Sequence, residues 1–451
     1  MLTARLRSLL ASPLGRRVGG GVLWSLVGGF LGRGAVVLSG IVTARILGKA
    51  DFGALGVIQN TILMFGVFAG FGMGLTATKF VAEHRQVDPR LAGQCLTLTA
   101  IVAMVTGVVA TGALWGVGPW LADSMLSAPH LAPALRVSSL VFLFTAVQGA
   151  LTGALAGFEA FKVTAWVNVW TGLVGLVVNT ALVLWAGFDG AVWGLVLASL
   201  VGCVATAAAV WREARRASVP LGLSRAAAPW RILLGYSVPA VLSQALVGPV
   251  RWMCSVMLVN TASGFAEMGV FNAANQWSQV VLFLSATVSN VTIPSLAERL
   301  GRRDHGSSLR VLKGTVAATA LVVLPIVIVA SLASPLVMRA YGPGFAQGWP
   351  TMVVAFATAG LLAVQSPIGN VIQASGRMWP GMVMNLCWGA AYVAFTWLCL
   401  PLGALGLALA GLAAYALHGV WTTLYARRIF AEYSALAGSS PAPSSAGVIP
   451  R

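Results

Sequence analysis

Two arginines stand inside long apolar stretches, Arg33 in SLVGGFLGRGAVVLSG and Arg251 in YSVPAVLSQALVGPVRWMCSVML. A charge at the bilayer centre costs at least about 2.5–3.5 kcal/mol on insertion scales, so an ionisable residue in mid-span marks a functional site by default. Arginine presents a planar fork of donors that grips phosphate oxygens, and two such cations facing one lumen would hold an anion. The alternative use is pairing with backbone carbonyls or with carboxylates at helix ends. Steps of seven residues return to nearly one helical direction, which puts Gln244 and Ser237 on the Arg251 face. The stretch NAANQWSQ places Asn272, Asn275, Gln276 and Gln279 at i, i+3, i+4 and i+7, with Asn290 further along. This amide stripe suits the wall of a polar cavity; hydrogen bonding between helices is its other reading.

The carboxylates are placed differently. All eleven (Asp51, Glu83, Asp88, Asp123, Glu159, Asp189, Glu213, Glu267, Glu298, Asp304 and Glu432) fall at or beyond the ends of the apolar stretches. An exporter of cations coupled to protons or sodium ions is expected to carry a buried carboxylate; a basic cavity points to an acidic substrate. Pro239, Pro249 and Pro294 interrupt helical stretches and are candidate bending points, although proline is also tolerated in membrane helices. His418 is either a proton sensor or a packed neutral ring. Phosphate-loop, HExxH and GxSxG motifs are absent, as is a close carboxylate pair, so the chain reads as a non-enzyme. The five cysteines have unrelated spacings and imply no metal or disulfide framework, and no cofactor is expected.

The elements that position these residues follow from composition. Of 451 residues, 58% are hydrophobic and 9% charged, and the mean hydropathy is +0.87, outside the range of a water-soluble domain. Apolar runs of about 20 residues or more, the length that crosses a bilayer, recur near 18–46, 52–78, 91–118, 134–158, 163–188, 190–211, 233–259, 268–296, 311–334, 350–374, 378–400 and 403–425. The runs are apolar all round, which excludes the two-residue alternation of barrel strands. The expected fold is an all-α integral membrane protein of about twelve transmembrane helices, the first an uncleaved helix after a basic leader. Lysines and arginines cluster in alternate loops, which by the positive-inside rule puts both termini in the cytoplasm. The net charge of +17 is explained by apposition to anionic lipids rather than by nucleic acid.

Landmarks recur at a nearly constant offset: Asp51 with Glu267, Glu83 with Glu298, Arg33 with Arg251, Lys162 with Arg377 and Asn168 with Asn385, each 215–218 residues apart. A parallel repeat follows, with two six-helix bundles around a central cavity. The expected boundaries are a first bundle over 1–211, a basic cytoplasmic linker over 212–232, a second bundle over 233–430 and a disordered, Ser/Pro/Ala/Gly-rich cytoplasmic tail over 431–451.

Several stretches resemble one family. TARILGKADFGALGV with GFGMGLTATKFVAEHR, then GALAGFEAFKVTAWVNV, YGPGFAQGWP and NVIQASGRMWPGMVMNL, are similar to the polysaccharide biosynthesis flippases of the multidrug, oligosaccharidyl-lipid and polysaccharide exporter superfamily. The resemblance implies a V-shaped pair of bundles that alternates between inward-open and outward-open states in a bacterial cytoplasmic membrane. It implies an undecaprenyl-pyrophosphate-linked oligosaccharide as cargo, turned from the cytoplasmic to the outer leaflet for surface polysaccharide synthesis. The pyrophosphate would meet Arg33 and Arg251, the sugar would lie along the amide stripe, and a polymerase or glycosyltransferases would be partners. Lipid II flippases usually carry two further carboxy-terminal helices not seen in this sequence, which argues against a peptidoglycan precursor. The competing expectations are a cation-coupled exporter of small amphiphiles and a membrane-embedded glycosyltransferase or polymerase.

Overall fold

The structure is a computed structural model that describes residues 13–70, 72–222, 246–301, 305–375 and 378–438. Among these residues every regular element is helical. We number the α-helices α1 (Pro13–Gly70), α2 (Met73–His84), α3 (Pro89–Trp120), α4 (Ala132–Gly157), α5 (Phe161–Arg216), α6 (Val247–Val259), α7 (Gly264–Gly301), α8 (His305–Tyr341), α9 (Trp349–Ala374), α10 (Met378–Cys399) and α11 (Gly403–Gly438).

Among the described residues seven helical stretches are long and apolar enough to cross a membrane. Three of them far exceed one crossing: Leu26–Gly70 with 45 residues, Phe161–Arg216 with 56 and Trp379–Glu432 with 54. Each is broken near its middle by a glycine in the left-handed region: Gly48 (φ 77°), Gly187 (φ 57°) and Gly403 (φ 58°). An L side chain is strained at such angles, so glycine is what lets the chain turn there. The turns are reversals. Asn179 lies against Gly194 and the Leu182 carbonyl against Gly190, whereas a straight helix would hold 179 and 194 about 22 Å apart. In α1, Ser39 and Gly40 share a small cavity with Leu55 and Gln59. Across the third break, Trp388 of α10 packs on Tyr415 of α11 with ring centroids 5.0 Å apart.

Helices α1 to α5 pack among themselves, α6 to α11 do likewise, and the two sets meet mainly through α1, which lies against α7 and α6. The contact is closest where α1 crosses α7, since a Cβ on Gly53 would strike the Phe265 carbonyl and one on Gly269 the Lys49 carbonyl. Small residues at a crossing let backbones approach, which is how helices associate in a solvent as apolar as their side chains. Hydrogen bonds span the same seam: Asn60 Nδ2 donates to Ser255 Oγ at 3.1 Å and Trp252 Nε1 to Thr61 Oγ1 at 2.9 Å. Aliphatic side chains cover the outside, with Leu332 78% and Leu336 73% exposed, a surface that is stable against lipid and not against water. The protein is a multi-pass integral membrane protein.

Candidate functional site

A cavity of about 560 Å³ opens between the second arm of α1 and helices α6, α7, α9, α10 and α11. Among the described residues Arg251 is the one cation in its lining, and no carboxylate lines it. Around it stand Asn60 from α1, Trp252 and Ser255 from α6, Asn275, Ser278 and Gln279 from α7, Thr358 from α9, Tyr392 from α10 and Tyr415 from α11. The spacing of α6 explains the placement. Gly248, Arg251, Trp252 and Ser255 recur at three- and four-residue steps and share one face, while Val250, Met253 and Met257 line a separate apolar groove beside α10. Arg251 Nη2 donates to the Tyr415 hydroxyl at 3.0 Å. Ser255 Oγ donates to the Arg251 carbonyl at 3.0 Å, which ties the next turn of α6 to the Asn60 amide.

The described carboxylates that bond do so at helix ends. Glu159 pairs with Arg85, Glu213 with Arg216 and Glu432 with Arg428. Asp88 caps α3 by accepting from the Leu91 amide at 3.1 Å, and Glu267 accepts from the Ala404 amide at the start of α11 at 2.8 Å. Among the described residues none pairs with Arg251. Among the described residues its guanidinium is met by the neutral Tyr415 hydroxyl and by no opposite charge.

The amide stripe divides. Asn275 and Gln279 face the cavity. Gln276 lines a smaller cavity of about 190 Å³ beside Ser39, Thr43, Gln59 and Asn179, where it accepts from the Tyr341 hydroxyl at 3.3 Å. Asn272 is buried against Gly56, with its Nδ2 lacking a partner among the described residues. On a helix of about 3.6 residues per turn, i, i+3, i+4 and i+7 cover roughly 100°, wide enough for the neighbouring α1 to part them. Arg33 does not line the cavity; it is exposed, with its guanidinium 4.6 Å from the ring centre of Phe283 on α7, within reach of a cation–π interaction. Pro249 lies in the first turn of α6 as described, where a missing N–H costs little. Gln244 and Pro239 lie outside the described residues, and Asn290 and Pro294 are on α7 at positions whose side chains lie outside them too. The Nδ1 of His418 is 3.4 Å from Thr422 Oγ1, and among the described residues no carboxylate pairs with it.

Sequence reasoning did not reach Asn60, Thr358, Tyr392 or Tyr415. Asn60 carried a usable signal, as one of two adjacent amides, with Gln59, inside the apolar run VIQNTIL. The tyrosines carried none, because a mid-span tyrosine reads equally well as core.

A largely apolar cavity that holds an arginine beside a cluster of amides and hydroxyls, inside an all-helical membrane protein, narrows the possible relatives. The family model described as polysaccharide biosynthesis protein matches residues 18–299, more than half of the chain. The chain belongs to the polysaccharide biosynthesis protein family. Curated relatives of the family include the EPS I polysaccharide export inner membrane protein EpsE of Ralstonia nicotianae, 27% identical over 417 residues and covering 89% of each chain. The lipid III flippase of Escherichia coli (strain K12) is 22% identical over 285 residues, 62% of this chain and 68% of that one. Among solved structures, the inward-facing conformation of a multidrug resistance MATE family transporter of the MOP superfamily superposes with a TM-score of 0.73 at 18% identity, over 90% of this chain and 96% of that one. This last likeness is one of fold.

Proposed function

We propose that the chain is a flippase that moves an undecaprenyl-pyrophosphate-linked oligosaccharide from the cytoplasmic to the outer leaflet of the bacterial cytoplasmic membrane, by alternating access, for surface polysaccharide synthesis. The observation that carries the reading is Arg251, among the described residues the one cation in a chamber whose polar lining is otherwise amides and hydroxyls, with no described carboxylate. Family membership and relatives named for polysaccharide export and lipid III flipping support it. A chamber of this size lies in the range of small-molecule sites, roughly 300–1,000 Å³, so it receives the headgroup while the prenyl tail stays in lipid. Arg251 meets the pyrophosphate and Asn275, Gln279 and Asn60 meet sugar hydroxyls, while Arg33, which lies outside the chamber beside Phe283, is proposed as a second contact for the phosphate at another stage of the cycle. Without such partners, dragging the head through hydrocarbon would expose its charge to the full cost of desolvation.

Alternating access in this proposal is carried by two six-helix bundles, 1–211 and 233–430, with the linker 212–232, the tail and both termini on the cytoplasmic side. The repeated landmarks support it: Glu267 lies in the first turn of α7, as Asp51 lies just after the break of α1 at Gly48. Polymerase or glycosyltransferase partners and anionic lipids at the basic loops belong to the same proposal.

The test is complementation of a strain lacking the gene. Arg251→Ala is expected to abolish surface polysaccharide, to let lipid-linked intermediate accumulate on the cytoplasmic face and to leave the protein at its normal level. Normal polymer from that variant would overturn the assignment.

A further inference from the structure

Arg251 has a fixed partner that carries no charge. The Tyr415 hydroxyl receives its Nη2 proton at 3.0 Å, and the Tyr415 ring is held by Trp388 at 5.0 Å between centroids. Trp388 is itself packed on Tyr392 at 5.7 Å, and both Trp388 and Tyr392 are buried. Three aromatic side chains from α10 and α11 thus fix the oxygen that orients the guanidinium. A guanidinium has five N–H donors, so one bond to a phenol steers the group and leaves most of its fork for a ligand. A carboxylate at the same place would steer it equally well and would also neutralise it. An opposite charge in contact with Arg251 would compete directly with an anionic headgroup and would leave the chamber open to cations instead.

We propose that Tyr415 is a specificity-determining residue: its neutral hydroxyl orients Arg251 while leaving the positive charge uncompensated, and this sets the chamber's preference for phosphate-bearing lipids over cationic amphiphiles. The inference rests on the reading of Arg251 as the anion anchor.

The probes are farnesyl pyrophosphate and farnesylamine, which share a short prenyl tail and differ in the sign of the head. Binding of each to the purified full chain in nanodiscs is measured by calorimetry for the wild type, Arg251→Gln, Tyr415→Phe and Tyr415→Glu. The wild type binds the pyrophosphate in preference to the amine. Arg251→Gln weakens pyrophosphate binding by about tenfold or more, and Tyr415→Phe by about two- to tenfold. Tyr415→Glu weakens it as much as Arg251→Gln does and raises affinity for the amine, an inversion that a merely structural defect, weakening both, would not produce. Absence of pyrophosphate binding by the wild type, or wild-type binding by Arg251→Gln, overturns the anchor. Loss in Arg251→Gln together with an unchanged head preference in Tyr415→Glu overturns the present inference and leaves the anchor standing. Where Tyr415→Glu fails to give a single gel-filtration peak, Tyr415→Phe decides, and unchanged pyrophosphate affinity overturns the inference.

Discussion

Asn275 and Gln279 are the two amides that α7 turns toward Arg251 across the chamber. A hydrogen bond of this kind contributes about 0.5–1.5 kcal/mol net, equivalent to about two- to tenfold in affinity. Asn275→Leu combined with Gln279→Leu is expected to lower surface polysaccharide severalfold at unchanged protein level, measured by polymer quantification beside an immunoblot of the membranes; full polymer would remove these amides from the site. At this scale the sequence was legible where a side chain violated its solvent. Arg251 stood out because a charge within a span is costly. Tyr392 and Tyr415 did not, because their rings satisfy an apolar environment and only the neighbours show where the hydroxyls point. The division of Asn272 and Gln276 from Asn275 and Gln279 was equally hidden, since the position of α1 against α7 decides it.

Helix breaks and crossings are set by glycines with different duties. Gly187 sits at φ 57° and ψ −126°, and Gly187→Ala introduces a backbone penalty of about 1–3 kcal/mol. Gly53→Ala places a methyl group into the Phe265 carbonyl, whereas Gly66→Ala on the same arm meets nothing within 4 Å and improves helix propensity by about 0.5–1 kcal/mol. The expected order of thermal midpoints for the purified chain is therefore Gly66→Ala at or above wild type, with Gly187→Ala and Gly53→Ala below it. A Gly53→Ala midpoint equal to that of Gly66→Ala would show that α1 and α7 do not cross at this point. Hydrophobic runs were readable in the sequence because the bilayer demands their length. The expected break between 46 and 52 falls at Gly48, and that between 188 and 190 lies close to Gly187. The crossing of Gly53 on Gly269 was not readable, since nothing local distinguishes a packing glycine from any other of the 52.

On the scale of the whole molecule, the two helix sets share little besides α1, and the chamber lies beside that seam. In the proposed cycle the two sets rock about that one helix, which would give a bound headgroup access to one side and then the other. In the proposed function the sign of the chamber selects the cargo and the seam supplies the motion. The most direct measurement uses proteoliposomes containing the purified chain and a polyprenyl-pyrophosphate oligosaccharide with a fluorescent sugar, followed by quenching of the label from the outside. The account predicts that quenching rises from the fraction initially exposed toward completeness with the wild-type chain, and stays at that initial fraction with Arg251→Gln reconstituted to the same density. Equal translocation by the two proteins, or none by the wild type, would contradict it.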